Sequence, residues 1–260
     1  MLKRYAMKLS NNFEVICYES GQSSAVPLWA CKNENPLNLG LNKEANIVYK
    51  DINTIPAGFH LLNVLSNTEC DDFIELTNTL NYGEDSSISL SRSVRHNQNL
   101  VWVIDQVMHD ILWNRVQPFM HNKRNLFDNK AGIGLNKRFR FYKYEVGDFF
   151  KTHTDGAWFG SAIVDGKLID SENAKQKSRM TFLLFLSDDY IGGETQFLVN
   201  SQNSSKPATN EKNMNKVQIQ TPKGSVLCFA HGHHAQHCLH SSLEIVQGVK
   251  YIIRTDVLFD

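Results

Sequence analysis

The sequence predicts a mainly β protein with flanking helices, in which a double-stranded β-helix (jelly roll) carries N-terminal helices packed on it. Two segments with helical periodicity lie between Leu65 and Pro118. From Gly134 onward, short apolar segments bounded by turn residues are typical of strands. These strands do not alternate with helices, so the pattern favours an antiparallel sandwich or barrel over a parallel α/β sheet.

Composition limits the class of protein. The 260 residues include 27 Lys plus Arg and 27 Asp plus Glu, so the formal net charge is zero. We therefore expect no nucleic-acid partner and no membrane partner. Apolar runs are too short for a membrane span or a signal peptide, and the five cysteines show no CxxC spacing. A cytoplasmic (intracellular) protein with reduced thiols is expected.

The first 55 residues carry few periodic signals and include the loop-like stretch NENPLNLGLN. We expect an N-terminal extension over 1–55 and a folded domain over 56–260. Ser66 followed by Glu69 predicts a capping box that begins the first helix, which Gly83 ends. A second helical pattern runs from Ile104 and ends at Pro118.

The C-terminal half predicts the sheet, with the jelly roll at about 136–260. Residues 139–144 alternate with period two, and RMTFLLFL reads as a buried strand. The Asn-, Ser- and Lys-rich segment 201–215 is expected to be a mobile insertion. Further strands are predicted at 195–199, 217–220, 225–229 and 251–259.

The tripeptide His153-Thr154-Asp155 predicts part of a metal site. Residues i and i+2 of an extended segment project from the same face, so the imidazole and the carboxylate can bind one ion. A second imidazole from another strand completes the facial triad of a non-haem iron(II) site. Such a triad leaves three positions for a chelating 2-oxo acid and dioxygen.

The third ligand is one of five histidines crowded between residues 231 and 240. Any single member of this group reads as a surface-loop residue, but His240 is followed ten residues later by Lys250 and by the strand YIIRTDVLF. A cation at that position suits the far carboxylate of a 2-oxo acid. Arg254 has the same strand parity and is the alternative partner, although an ion pair with Asp256 is the more ordinary role.

Three stretches of the chain resemble the prolyl 4-hydroxylase-like branch of the iron(II)/2-oxoglutarate-dependent dioxygenases. They are YEVGDFFKTHTDG, RMTFLLFLSDDYIGGETQF and LHSSLEIVQGVKYIIRTDVLF. The family pattern reads Y-x-x-G-x-x-F-x-x-H-x-D, then G-G-x-T-x-F after a buried strand, then His and G-x-K/R leading into R-x-D. The match runs from about Arg138 to the C-terminus, and the helix after Leu65 resembles the family's L-S-x-x-E-C-D.

The resemblance implies roles for particular residues and a set of cofactors. Fe(II) is the implied metal, 2-oxoglutarate and O2 the cosubstrates, and ascorbate an optional further cofactor. Ser241 and Ser242 stand where the family commonly has Glu-Gly. The implied catalytic metal ligands are His153, Asp155 and His240, and the implied 2-oxoglutarate contacts are Lys250, Tyr144 and, as a weaker candidate, Tyr142.

The implied activity is hydroxylation of an unactivated C–H bond with release of succinate and CO2. A prolyl residue in a protein or peptide is the expected substrate. The alternatives are another residue, a free amino acid or another small molecule, or a non-catalytic metal- or 2-oxoglutarate-binding sensor module. The resemblance places the dioxygenase domain over 56–260.

The remaining polar residues near the motifs have ordinary interpretations. The sequence indicates a solvated loop that contains Arg92, Arg95 and His96. Trp158 is equally suited to a substrate pocket or to core packing. The polar stretches 84–99 and 160–178 are expected to form a mobile cover over the site.

Overall fold

The fold is described from a computed structural model of the 260-residue chain. The structure describes residues 11–21, 24–41, 46–84, 90–170, 176–203, 206, 208 and 213–260. Within these ranges the protein is mainly β. None of the helices there is long and apolar enough to cross a membrane.

In chain order the elements are β1 (Phe13–Ser20), β2 (Ala25–Cys31), β3 (Val48–Asp51), β4 (Phe59–Leu62), α1 (Asn67–Leu80), β5 (Arg95–His96), β6 (Gln98–Val103), α2 (Gln106–Val116), β7 (Gly134–Leu135), β8 (Arg138–Tyr144), β9 (Phe149–His153), β10 (Ala162–Val164), β11 (Lys167–Ile169), β12 (Lys177–Phe185), β13 (Ile191–Gly192), β14 (Thr195–Asn200), β15 (Met214–Ile219), β16 (Val226–Ala230), β17 (Leu239–Ser242), β18 (Ile245–Gln247) and β19 (Lys250–Phe259). Short 3-10 turns lie at Gln117–Phe119 and Arg124–Leu126.

Both helices begin at side-chain caps. The Ser66 side chain accepts a hydrogen bond from the backbone N–H of Glu69, and the Glu69 side chain accepts one from the backbone of Ser66. The predicted capping box is thus confirmed. Helix α2 begins at Gln106, slightly later than the sequence pattern indicates, because the side chain of Asp105 caps it.

Two sheets form the body of the protein. The larger has the strand order β1-β2-β6-β8-β19-β12-β16-β4-β3, with β7 also paired to β19, and the smaller has the order β15-β14-β17-β9-β5. Only the pairing of β2 with β6 is parallel among the described strands of these sheets. This mainly antiparallel, two-sheet arrangement is consistent with a jelly roll.

The larger sheet carries a core on each face. On β12, Phe182 and Leu184 belong to one buried cluster, together with side chains of both helices. Leu183 and Phe185 belong to a second cluster, which includes Phe197 of the smaller sheet. Because successive strand residues point to opposite faces, β12 is buried on both sides. This explains the apolar run at residues 182–185 of the strand.

Strands β1, β2 and β3 lie in the segment for which the sequence indicates no secondary structure. Leu28 of β2 lies opposite Val101 of β6 in parallel register, so this segment extends the larger sheet. β1 lies at the sheet edge, where a strand is exposed and its alternation is weak. The division of the chain at residue 55 stays a prediction.

The prediction that residues 160–178 form a cover over the site is wrong for the described part of this stretch. Strands β10 and β11 form a hairpin whose Ile163 and Leu168 pack on Leu28, Val101 and Val103. These apolar contacts tie the hairpin to the larger sheet. Within the stretch 84–99, residues 85–89 lie outside the described residues. Much of the predicted 201–215 insertion lies outside them too.

Candidate metal centre

Strand pairing brings the two motif histidines together. β9 and β17 are antiparallel neighbours in the smaller sheet, and His153 lies directly opposite His240 in their register. Opposed residues of an antiparallel pair have Cβ atoms about 5 Å apart, so their side chains share one face. Residues 87 positions apart in the sequence therefore become neighbours through one strand pair.

His153, Asp155 and His240 converge on one point. One ligand atom from each lies within 4.8 Å of the others. The Nε2 atom of His153 is 3.7 Å from Asp155 Oδ1, and Nε2 of His240 is 3.6 Å from Asp155 Oδ2. Two imidazole nitrogens and one carboxylate arranged in this way can occupy one face of a metal's coordination shell.

Backbone contacts orient both imidazoles. Nδ1 of His153 lies 2.8 Å from the carbonyl oxygen of Lys151, and Nδ1 of His240 lies 3.1 Å from that of Cys238. A carbonyl only accepts, so Nδ1 carries the proton in each ring and the Nε2 lone pair faces Asp155. Burial lowers the pKa of His153 to about 3 and also lowers the pKa of His240. Both rings are therefore neutral, as ligation requires.

Asp155 is held as a carboxylate. Burial by itself would raise its pKa, but the positive charge of Arg254 holds that pKa well below its usual range. Nη2 of Arg254 lies 3.5 Å from Asp155 Oδ1. The hydroxyl of Thr181 donates to Oδ2 at 2.7 Å. The residue thus keeps its charge in a buried position.

The other histidines of the 231–240 stretch are engaged elsewhere. His231 contacts Thr181, His234 Nε2 lies 2.6 Å from the carbonyl oxygen of Leu126, and His237 Nδ1 contacts the carbonyl oxygen of His234. His233 is exposed. Among the described residues, His240 is the one histidine of this stretch that forms a group of metal donors with His153 and Asp155.

A cavity of about 360 Å³ opens at this centre. Its wall on the larger sheet comes from β19 and β8, where Lys250 lies opposite Tyr144 and Ile252 opposite Tyr142. The volume suits a small organic ligand. The further lining residues used below are Arg95, His153, Asp155, Trp158, Leu183, His240 and Arg254.

Lys250 is a buried cation at the cavity wall. It is 1% exposed. Its Nζ donates to the carbonyl oxygen of Gly193 at 2.5 Å and to Ser242 Oγ at 3.0 Å, and lies 5.3 Å from the ring centroid of Tyr144. Among the described carboxylates, none lies within ion-pair distance of it. Burial lowers its pKa to about 7. A bound carboxylate would restore the stability of the charged form.

Arg254 has carboxylate partners, unlike Lys250. Its Nη2 atom lies 3.2 Å from Asp256 Oδ1 and 3.5 Å from Asp155 Oδ1. The ion pair with Asp256 anticipated from the sequence is present. Arg254 therefore couples the candidate ligand Asp155 to a second buried carboxylate.

Arg95 was missed as a site residue, and its interpretation as part of a solvated loop is wrong. It lies in β5, is 7% exposed and lines the cavity. Its guanidinium carbon is 4.4 Å from the ring centroid of Tyr142 and 5.1 Å from that of Phe150. Arg95, Asn97 and Asn99 alternate along the chain, and all three are buried. That period of two was the available signal.

Trp158 lines the cavity, whereas its neighbour Phe159 is exposed. Of the two interpretations for Trp158, the structure therefore supports a place in the pocket. The stretch 160–178, which was expected to cover the site, is not part of the cavity wall, since none of its described residues lines the cavity.

Comparisons with known proteins find likeness in structure. No protein-family model matches the chain, and no curated protein matches it. A prolyl hydroxylase in complex with a hypoxia inducible factor oxygen degradation domain peptide fragment, from Trichoplax adhaerens, superposes with a TM-score of 0.52 at 15% identity, covering 78% of this chain and 84% of that one.

Two further structures have lower scores. The viral collagen prolyl hydroxylase of Paramecium Bursaria Chlorella virus-1 gives a TM-score of 0.47 at 16% identity, covering 78% of this chain and 96% of that one. A Pseudomonas putida prolyl-4-hydroxylase gives 0.46 at 12% identity, covering 78% and 92%. The match to the Trichoplax enzyme confirms the resemblance at the level of the fold: this chain has the fold of that prolyl hydroxylase.

Proposed function

We propose that the chain is an Fe(II)- and 2-oxoglutarate-dependent dioxygenase that hydroxylates an unactivated C–H bond, with a prolyl residue in a protein or peptide as the expected substrate. One observation carries the proposal. His153, Asp155 and His240 converge in the same cavity as Lys250, a buried cation with no described carboxylate in ion-pair distance. A metal and a carboxylate-bearing chelator together satisfy both features.

The donor set fits Fe(II). Two neutral imidazoles and one ionised carboxylate would hold the ion through Nε2 of His153, Nε2 of His240 and an oxygen of Asp155. When bound, iron(II) with 2-oxoglutarate and O2 supplies an oxidant strong enough for a C–H bond, with succinate and CO2 as coproducts. The protein residues position these groups and exclude water.

Lys250 and Tyr144 form the proposed binding site for the distal carboxylate of 2-oxoglutarate. The ammonium group of Lys250 supplies a charge-assisted hydrogen bond. Burial raises the pKa of Tyr144, so its side chain stays a phenol and can donate to the same carboxylate. Leu183 and Ile252 add apolar cavity wall next to these groups, which limits access of water.

The substrate assignment rests on the family resemblance and on the likeness in fold to a prolyl hydroxylase bound to a peptide. A cavity of about 360 Å³, with Arg95 and Trp158 in its wall, also favours the second candidate, hydroxylation of a small molecule or free amino acid. Both candidates use the same metal and cosubstrate.

Turnover tests the proposal directly. Purified protein with Fe(II), 2-oxoglutarate and O2 is incubated with proline-containing peptides, with matched peptides in which alanine replaces proline, and with free amino acids. We expect succinate formation and a product that has gained one oxygen atom, seen by mass spectrometry, from the proline peptides. Asp155→Ala should form neither. Product from free amino acids alone would favour the second candidate. Binding of Fe(II) and 2-oxoglutarate without any turnover would favour a sensor.

The affinity for 2-oxoglutarate is expected to depend on pH through Lys250. In the protein without cosubstrate its pKa is about 7, against an ordinary lysine value of 10.5. Below pH 7 the amine is already charged. Above pH 7 binding must take up a proton, so affinity should fall as pH rises, by up to about tenfold per pH unit.

The contribution of Lys250 to folding stability changes with pH in the opposite direction to its contribution to 2-oxoglutarate affinity. Between pH 7 and 10.5 the unfolded lysine binds a proton that the folded protein without cosubstrate does not bind, so Lys250 makes unfolding less favourable as pH rises. Calorimetric titration of 2-oxoglutarate between about pH 6 and pH 9 measures the binding effect. Lys250→Met should remove the slope. An equal slope in wild type and variant would contradict the assignment of Lys250.

A further inference from the structure

Three polar side chains are completely or almost completely buried beneath the candidate metal centre. Ser178 and Thr181 interrupt the apolar strand β12, and His231 follows β16 directly; their exposed fractions are 0%, 0% and 2%. A buried polar group without a partner destabilises the fold, so buried polar side chains are normally hydrogen-bonded to one another or to the backbone. These three form a chain of contacts that ends on Asp155.

The contacts are short and continuous. Thr181 Oγ1 lies 2.7 Å from Asp155 Oδ2 and 2.8 Å from Nδ1 of His231. Nε2 of His231 lies 2.9 Å from Ser178 Oγ, and that oxygen accepts the backbone N–H of Trp158 at 2.8 Å. Each member therefore has a neighbour on both sides.

The direction of every hydrogen bond follows from the carboxylate. An ionised carboxylate only accepts, so the single hydroxyl hydrogen of Thr181 is donated to Asp155. The oxygen of Thr181 must then accept from Nδ1–H of His231. Burial lowers the pKa of His231, so the ring is neutral and Nε2 accepts the hydroxyl hydrogen of Ser178. His231 thus has the same tautomer as the two candidate ligands, but both of its nitrogens bond within this network and neither is left to bind a metal.

Asp155 needs such support because strand pairing does not hold it. β9 ends at His153, and Asp155 lies two residues beyond, where its backbone oxygen accepts one bond from the N–H of Gly232. Its carboxylate would otherwise be free to rotate between the two facing imidazoles. Thr181 on one oxygen and Arg254 on the other determine which lone pairs remain for a metal.

We propose that Thr181 is a positioning residue that holds Asp155 in the geometry for metal binding, and that His231 is a positioning residue that holds Thr181 as a donor. The inference rests on the proposed function only in taking His153, Asp155 and His240 as ligands of a divalent metal. It assigns a role to a histidine of the crowded stretch that the sequence motif does not use.

The test is Co(II) binding, followed by the visible d–d absorption of the ion, so no turnover is needed. Thr181→Val removes the hydroxyl at nearly constant shape and should weaken Co(II) binding by about 10- to 100-fold. Thr181→Ser keeps the hydroxyl and should bind close to wild type. His231→Leu should weaken binding in the same direction. His231→Asn, whose amide can replace Nδ1–H, should recover most of the loss.

A double-mutant cycle tests whether His231 acts through Thr181. In the Thr181→Val background, His231→Leu should add little further loss, since the hydroxyl that it orients is gone. Additive losses would overturn the role of His231, and wild-type Co(II) affinity in Thr181→Val would overturn that of Thr181. Thermal unfolding identifies a variant that fails to fold. If Thr181→Val does not fold, the comparison of His231→Leu with His231→Asn tests the positioning network.

The outcomes separate this inference from the proposed function. Wild-type protein that binds no Co(II) would contradict both. Wild-type binding that His153→Ala abolishes, with no difference between the valine and serine variants at 181, would contradict the positioning network alone and leave the metal centre in place.

Discussion

Replacement of His240 by alanine is expected to abolish 2-oxoglutarate turnover and to weaken divalent-metal binding by more than about 100-fold. Loss of a residue that only supports a ligand costs about 10- to 100-fold in metal affinity, and loss of a ligand costs more. Nε2 of His240 faces Asp155 at 3.6 Å, and the ring lies opposite His153 across a strand pair. His153→Ala and Asp155→Ala should show the same phenotype.

His237→Ala is the matched control for this result. It removes an imidazole from the same stretch, but His237 contacts the backbone of His234 and is not grouped with Asp155. Metal affinity is measured by titration of the metal-free protein with Fe(II) under anaerobic conditions, and turnover by succinate. Full activity in His240→Ala together with loss in His237→Ala would show that the third ligand is wrongly assigned.

Lys250→Met is expected to raise the apparent Kd of 2-oxoglutarate by about 30-fold or more, while Fe(II) binding stays near wild type. Removing one partner of a buried charged hydrogen bond costs about 2–5 kcal/mol. Methionine keeps the length of the side chain and removes the charge. Because Lys250 makes no contact with the three metal donors, the metal centre should form normally. Titration of 2-oxoglutarate into the Fe(II)-loaded protein without O2 measures the change.

Arg254→Met is the informative comparison for Lys250. Arg254 contacts Asp155, so its loss should weaken metal binding before it changes the requirement for 2-oxoglutarate. Lys216→Met, at an exposed position of β15, controls for removal of a lysine charge elsewhere. If Arg254→Met raised the 2-oxoglutarate requirement and Lys250→Met did not, the carboxylate partner would be Arg254.

Local patterns in the sequence predicted much of the fold and part of the site. The capping box at Ser66 and the His153-Thr154-Asp155 spacing depend on residues a few positions apart, so helical or extended geometry alone relates them. The apolar run of β12 likewise indicates a strand buried on both faces. Strands β1 and β2 were not predicted because sheet pairing holds them: β2 pairs with β6, far along the chain, and β1 pairs with β2.

By itself, the sequence determined the donor types of the candidate centre, the tripeptide motif that supplies two of them and the cation that follows the third. The sequence favoured His240 among the five crowded histidines, but only the tertiary structure placed it facing Asp155, through the register between β9 and β17. The tertiary structure also decided that Arg95 lines the cavity and that Thr181 and His231 lie beneath Asp155. These relations join residues far apart in the chain. Such contacts depend on strand pairing and burial, which produce no recognisable residue spacing in the sequence.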